Sequence, residues 1–232
     1  MAEPNTIITF ANQKGGVGKT TLCMLFAHYL VKSGHPVWVI DSDGQSSIAH
    51  FRKKEIADGE NMDVPFEVNV HLLKDKNATD KLIGKLREFK GIVLIDSPGN
   101  LNEPGLVSIF ANSDFIICPF LLDKITITST ATFILLINRL RSTLGSSVKA
   151  ELLFVPNRVD GRVGTKEEKR LISATKLHLG NFGNVTPEIA LRACLQRTST
   201  MAITDEQTAA TAAAFDFIKE TINPKNSTHS HE

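Results

Sequence analysis

The residues best suited to chemistry begin a dozen positions into this 232-residue chain. A short β-branched run at 6–10 leads into Asn12-Gln13-Lys14-Gly15-Gly16-Val17-Gly18-Lys19-Thr20-Thr21, and a helical pattern follows at once. Glycines let a backbone wrap an anion with its N–H groups, and the start of a helix adds a favourable dipole. Gly15, Gly16, Val17 and Gly18 are therefore the expected phosphate cradle of a nucleotide such as ATP. Lys19 is expected to reach the β/γ-phosphates, the Thr20 hydroxyl to ligate Mg²⁺, and Thr21 to donate to the α-phosphate. A glycine-rich turn that merely caps a helix is the bland alternative. At average residue usage, Lys-Gly-Gly-x-Gly-Lys-Thr arises by chance in such a length with a probability on the order of 10⁻⁴ or less.

Two acids stand at matching places further on. Val37-Trp38-Val39-Ile40-Asp41 runs into Ser42-Asp43-Gly44, and a carboxylate just past a strand lies on the edge where open α/β sheets bind ligands. Ile92-Val93-Leu94-Ile95-Asp96 is a buried strand delivering a carboxylate to a metal, so Asp96 is expected to hold Mg²⁺ with Thr20. Alone, either acid could be an ordinary turn residue. Their order and spacing behind the glycine loop give them weight.

The elements that must position these groups alternate along the chain. Apolar β-branched runs at 6–12, 36–41, 91–96, 115–120 and 149–156, with a weaker one at 66–72, predict strands. Helical periodicity predicts helices at 20–33, 47–55, 78–89, 102–111, 126–144, 166–179 and 205–222. This is the pattern of an α/β fold, a mostly parallel twisted sheet flanked by helices on both faces. No linker separates two cores, so 1–222 is expected to form a single domain, with 223–232 a polar C-terminal tail after Pro224.

Composition removes several function classes. Lys+Arg 26 against Asp+Glu 25 gives a net charge of +1, so no global attraction to DNA or membrane follows. Cys23, Cys118 and Cys194 are odd in number and far apart, which argues against a disulfide framework or a zinc site. No signal segment or spanning stretch is evident, and a cytoplasmic location is expected.

The loop departs from G-x-x-x-x-G-K-[ST] in having Gln13 where glycine is usual, and it carries a second lysine, Lys14. With the segments 41–47 and 92–99 it resembles the ParA/MinD family of deviant Walker A ATPases, over 6–222. The resemblance implies a P-loop fold, ATP and Mg²⁺ as ligands, and a homodimer in which Lys14 crosses to the phosphates of the partner subunit. It implies that Asp43 orients or activates the attacking water, although Gly44 stands for proline and Ser46 for glycine. Ser97 and Gly99 are variants beside Asp96. Cys118-Pro119 resembles a strand end near the nucleotide, and Asn157 resembles an asparagine near the adenine, with an end-of-strand turn residue as its plain alternative.

Within the family the chain is similar to small ParA-type partition ATPases. It starts a few residues before the first strand, so no N-terminal helix-turn-helix region is expected. A polar end at 225–232 without an apolar face argues against MinD-type membrane binding. The stretch 149–197 carries nine basic and five acidic residues, +4 against −3 for the rest. That asymmetry hints at a basic face, or at a solvated helix in which Glu167 and Glu168 neutralise Lys169 and Arg170. The resemblance adds non-specific DNA binding by the ATP dimer, with Arg192 and Arg197 as preferred contacts, a nucleoid association, and a ParB-like or cargo-adaptor partner that stimulates hydrolysis. A positioning ATPase for a protein cargo, and a small-molecule ligase or kinase on the same fold, are the alternatives.

Overall fold

The buried runs read from the sequence assemble into one parallel sheet. The computed structural model describes residues 5–59, 63–161 and 165–223. In chain order the elements are β1 (Thr6–Phe10), α1 (Lys19–Lys32), β2 (Val37–Asp41), α2 (Ser47–Ala57), β3 (Glu67–Val70), α3 (Lys76–Glu88) and β4 (Ile92–Asp96). They continue with α4 (Leu106–Asn112), β5 (Phe115–Phe120), α5 (Lys124–Leu144), β6 (Glu151–Pro156), α6 (Lys166–Leu179), β7 (Asn184–Val185) and α7 (Asp205–Ile222). A short 3₁₀ turn, Ala193–Gln196, precedes α7. The expected tail beyond Asn223 lies outside the described residues, as does Arg162.

Seven strands pair in the order β3-β2-β4-β1-β5-β6-β7, all parallel. β1 and β4 are buried along their whole length, as strands covered on both faces must be. One apolar layer joins the sheet to α1, α2 and α7 through Phe26, Leu30, Ile48, Phe215 and Ile218. The other joins it to α3, α4 and α5 through Leu86, Phe110, Phe133 and Ile137. After β1 the chain crosses toward β2, and after β4 it crosses the other way to β5. Since β1 and β4 are neighbours, their C-terminal ends open the crevice where such sheets bind ligands.

The expected elements are found, with instructive shifts. The weak strand at 66–72 is the short edge strand β3, with Glu67, Asn69 and Val70 exposed. The fourth helix begins at Leu106 rather than 102, because Pro104 disfavours helix at the residue before it. There Gly105 packs so tightly that a Cβ would lie 2.4 Å from Thr79 Oγ1. The two-residue strand β7 was not foreseen; it borrows its order from Leu153 and Phe154 of β6.

One packing contact has a measurable pH signature. His28 of α1 is 4% exposed, sits edge-on to Phe66 with ring centres 4.9 Å apart, and has Nε2 3.1 Å from the Ser199 carbonyl, the contact of a neutral donating ring. Burial lowers its pKa from 6.5 to about 4, and the cations Arg52 and Lys32 add to the effect while Glu55 and the Ser199 bond oppose it. The unfolded chain takes up a proton at His28 below about 6.5, whereas the folded ring resists until about 4. This contribution to stability is complete above the window and is lost as pH falls through it. In His28→Gln, which keeps a donor for Ser199, thermal denaturation between pH 6.5 and 4 is expected to depend less steeply on pH than in the wild type. An unchanged slope would assign the acid sensitivity to other groups.

Candidate functional site

The loop at 12–19 is held from both sides before any ligand arrives. Asn12 is fully buried; its amide donates to the Pro119 carbonyl at 2.8 Å and to Thr130 Oγ1 at 3.0 Å, and its Oδ1 accepts the Lys14 N–H at 3.2 Å. Gly16 and Gly18 take positive φ, 78° and 103°, which a side chain would resist. At Gly18 a Cβ would also lie 2.3 Å from Asn157 Nδ2. That nitrogen donates to the Val17 carbonyl at 2.8 Å, so the end of β6 braces the loop from outside.

Helix α1 starts on Gly18 without a side-chain cap, whereas α3, α5 and α7 are capped by Asp75, Asp123 and Thr204. No acid occupies its first turn. Its leading N–H groups and the positive end of its dipole are thus left for an anion. Lys19, 7% exposed, curls over the loop with Nζ 3.4 Å from the Lys14 carbonyl. Burial lowers its pKa, against the pull of Asp96 and Asp43. Gly99 borders it: a Cβ there would come 3.6 Å from Lys19 Nζ, an ordinary packing contact.

Facing Lys19 are carboxylates delivered by two neighbouring strands. Asp41 and Asp96 are register partners at the ends of β2 and β4, and both are buried. Asp96 accepts the Thr20 hydroxyl at 2.6 Å. Burial raises its pKa to about 7, and repulsion from Asp41 and Asp43 adds to this, while the Thr20 bond and Lys19 oppose it. Asp41 Oδ1, Ser42 Oγ and Asp96 Oδ1 are buried without a hydrogen-bond partner. Buried acceptors left unmatched are costly, and they mark where a cation and its water fit.

Asp43 is half-buried, its Oδ1 accepting the Gln45 N–H at 2.9 Å. Ser46 follows in the left-handed region, φ 46°, which gives a physical reason for glycine at the corresponding place in the resembled segment. Lys14 points to solvent. The structure therefore brings Lys19, Thr20, Asp43 and Asp96 around one crevice, with Lys14 on its rim.

Thr21 and Asn157 line a shallow cleft beside that crevice, together with Arg158, Leu191, Arg192 and Gln196. Asn157 is 4% exposed, with one N–H committed to the loop. Arg192 is exposed and borders this cleft, while Arg197, also exposed, lies just past the 3₁₀ turn. Lys176, part of the basic stretch, is paired with Glu188. The side chains of Lys166, Glu167, Glu168 and Lys169 lie outside the described residues.

Sequence reasoning missed Arg158. Its backbone is left-handed, φ 53°, at a cost of order 1–3 kcal/mol, and its Nη1 donates to the Gly16 carbonyl at 3.0 Å. Nothing local marks it, because the contact spans 142 residues. Asp41 was passed over in favour of Asp43, although its place as the last apolar-run acid mirrors that of Asp96.

A strand, a glycine-rich loop, an uncapped helix and a buried strand-end carboxylate on a parallel sheet define a P-loop nucleotide-binding protein. The profile of the CobQ/CobB/MinD/ParA nucleotide binding domain matches residues 8–198, and the chain belongs to that family. It is 26% identical over 209 residues to the chromosome-partitioning ATPase Soj of Thermus thermophilus, covering 78% of this chain and 80% of Soj. A protein of Borrelia burgdorferi B31 described as a plasmid partition protein, solved with AMPPNP, superposes with a TM-score of 0.68 at 22% identity, covering 94% of this chain and all of the other. A substituted form of Cyanothece McdA, solved as its ATP complex, gives 0.73 at 16% identity, over 95% and 97% of the two chains. Soj is named an ATPase, and the domain this chain shares with its family is a nucleotide-binding one.

Replacing Lys19 by Ala is expected to weaken ATP binding by ~10- to 100-fold, since a charge-assisted contact to the phosphates is lost. Gly18→Ala should do the same while also lowering the melting temperature, because the loop must leave Asn157. Titration with a fluorescent ATP analogue checks both. Wild-type affinity in Lys19→Ala would refute the loop's role.

Proposed function

We propose that this chain, as a single domain over 1–222, is an ATP-dependent dimerisation switch of plasmid or chromosome partition. ATP binds in the loop, two subunits close face to face, and the closed dimer binds DNA without sequence preference. A ParB-like or cargo-adaptor protein stimulates hydrolysis, and the subunits part. The observation that carries this reading is the division between two loop lysines: Lys19 is buried over its own loop, while Lys14 stands exposed on the rim. A lysine displayed there is placed to meet the phosphates of a second subunit.

Thr20 and Asp96 would hold Mg²⁺, and the orphaned oxygens of Asp41 and Asp96 suit such a cation. When bound, the ion offsets charge on the β- and γ-phosphate oxygens. Lys19 would add its charge to the same oxygens, and the loop N–H groups would fix their positions. Asp43, half-buried at the mouth, orients the attacking water. Little else is required, since phosphoryl transfer depends on positioning and charge stabilisation. Arg197 and Arg192 are the proposed DNA contacts, and Arg192 borders the same cleft as Thr21.

Lys14→Ala is expected to bind ATP like the wild type yet remain monomeric by light scattering. Asp43→Ala is expected to dimerise with ATP and hydrolyse poorly. Mixing the two variants tests action across the interface, since recovered turnover requires each subunit to supply what the other lacks. Lys14→Ala dimers at saturating ATP would overturn the switch.

DNA binding should appear only with ATP, because a net charge of +1 gives a monomer little phosphate affinity while a dimer presents its patches twice. If each subunit neutralises about two phosphates, log K against log salt should fall with a slope of roughly −3 to −4. Arg197→Ala should flatten that slope and leave nucleotide binding intact. Gel shifts on random-sequence DNA measure both. Absence of binding at low salt with ATP would move the reading to positioning of a protein cargo.

A further inference from the structure

Two helices that start at the nucleotide site end on the same pair of residues. α1 begins with Lys19 and Thr20 and carries His28 to the Ser199 carbonyl. α2 begins directly behind the Asp43 loop and carries Arg52 and Glu55 to Thr200. Arg52 is 7% exposed and spends its guanidinium on three carbonyl or hydroxyl partners. Nε donates to Thr200 Oγ1, Nη2 to the Thr200 carbonyl and Nη1 to the Phe66 carbonyl, each at 2.8 Å, with the guanidinium centre 4.8 Å above the Phe66 ring. Glu55 accepts the Thr200 N–H at 3.0 Å and the Thr200 hydroxyl. Thr200 is fully buried between them.

From the other side Gln207 of α7 donates to the carbonyls of Cys194 and Arg197 at 2.9 and 3.0 Å. The segment that carries exposed Arg197 is thus clamped between α7 and the two helices of the ATP site. The far end of α2 is equally committed. Ala49 N–H donates to Asp41 Oδ2 at 3.1 Å, and the Asp43 carbonyl accepts the Ser46 N–H at 2.9 Å. An 11-residue helix is a rod of about 16 Å, so a displacement at Asp43 reaches Thr200 largely undiminished. A buried arginine is a poor device for stability alone, since well-packed apolar residues often serve as well or better. Its fork geometry does fix direction.

We propose that Arg52 and Glu55 are positioning residues that couple the Asp43 loop to the segment 197–201, so that hydrolytic geometry and the presentation of Arg197 change together. The inference rests on the reading of Asp43 as the residue that orients the attacking water. The polar contacts of both residues are with Thr200 and Phe66, so both act through α2.

The test uses the full chain, hydrogen exchange and turnover. In the wild type, AMPPNP with Mg²⁺ should change amide protection both at 12–21 and at 199–201. In Arg52→Lys, which keeps the charge and loses the fork, protection should change at 12–21 only. Turnover at saturating ATP should fall about tenfold or more, with AMPPNP affinity within about twofold of wild type. Thr200→Val, which keeps volume and removes one hydroxyl, should shift both readouts in the same direction, and it carries the test if Arg52→Lys fails to fold. Wild-type protection at 199–201 that ignores nucleotide, or variants that respond and turn over as the wild type does, would overturn the coupling. Wild-type hydrolysis by Asp43→Ala would instead refute the reading of Asp43, and the exchange response at 199–201 would then decide the coupling by itself.

Discussion

Everything around the site answers one costly placement, a carboxylate at the inner end of the most buried pair of strands. Asp96 is 1% exposed and has another carboxylate, Asp41, as its register partner. Two acids so placed repel, and burial alone would drive one to take up a proton. The chain supplies partial relief from α1, through the Thr20 hydroxyl and the Lys19 ammonium. For those groups to arrive, the loop after β1 must double back across the end of β4, and only a run rich in glycine can turn so tightly beside Asn157. Lysine, loop and crossover all answer one burial.

The same burial sets what the surrounding core must hold. Ser46 and Arg158 keep left-handed backbones that an isolated peptide would abandon. Each lies at the edge of the crevice, and each is fixed by longer-range contacts: α2 docked on Asp41 in the first case, the Gly16 carbonyl in the second. Strain of this kind survives where a rigid scaffold over-determines it. Here the scaffold is a parallel sheet packed on both faces.

The site was legible wherever its chemistry is local. Gly15 to Thr21 announce a phosphate loop by spacing alone, Asp96 stands where an apolar strand stops, and Asp43 stands two residues past the end of another. What could not be read depends on tertiary approach. Arg52 sits among charged neighbours on a helix that reads as solvated, yet it is buried because Phe66 and Thr200 arrive from elsewhere in the chain. Asn157 was weighed between adenine and turn, and the structure gives it a further duty as a brace on Val17. Arg192 was singled out by the charge of its stretch and by the family resemblance, and its place on the same cleft as Thr21, at the start of the 3₁₀ turn, is tertiary information. β7 is too short for any pattern to reveal.

The strand order also governs when the loop can exist. β1 is made first, but its two neighbours pair with it through Ile92 to Asp96 and Phe115 to Ile117. A chain leaving the ribosome therefore carries the glycine loop for about eighty residues before β4 can flank β1 and about a hundred before β5 can, and parallel pairings at such separation form slowly. The earliest strand of the sheet becomes the keystone, set only after both flanks of the arch are in place.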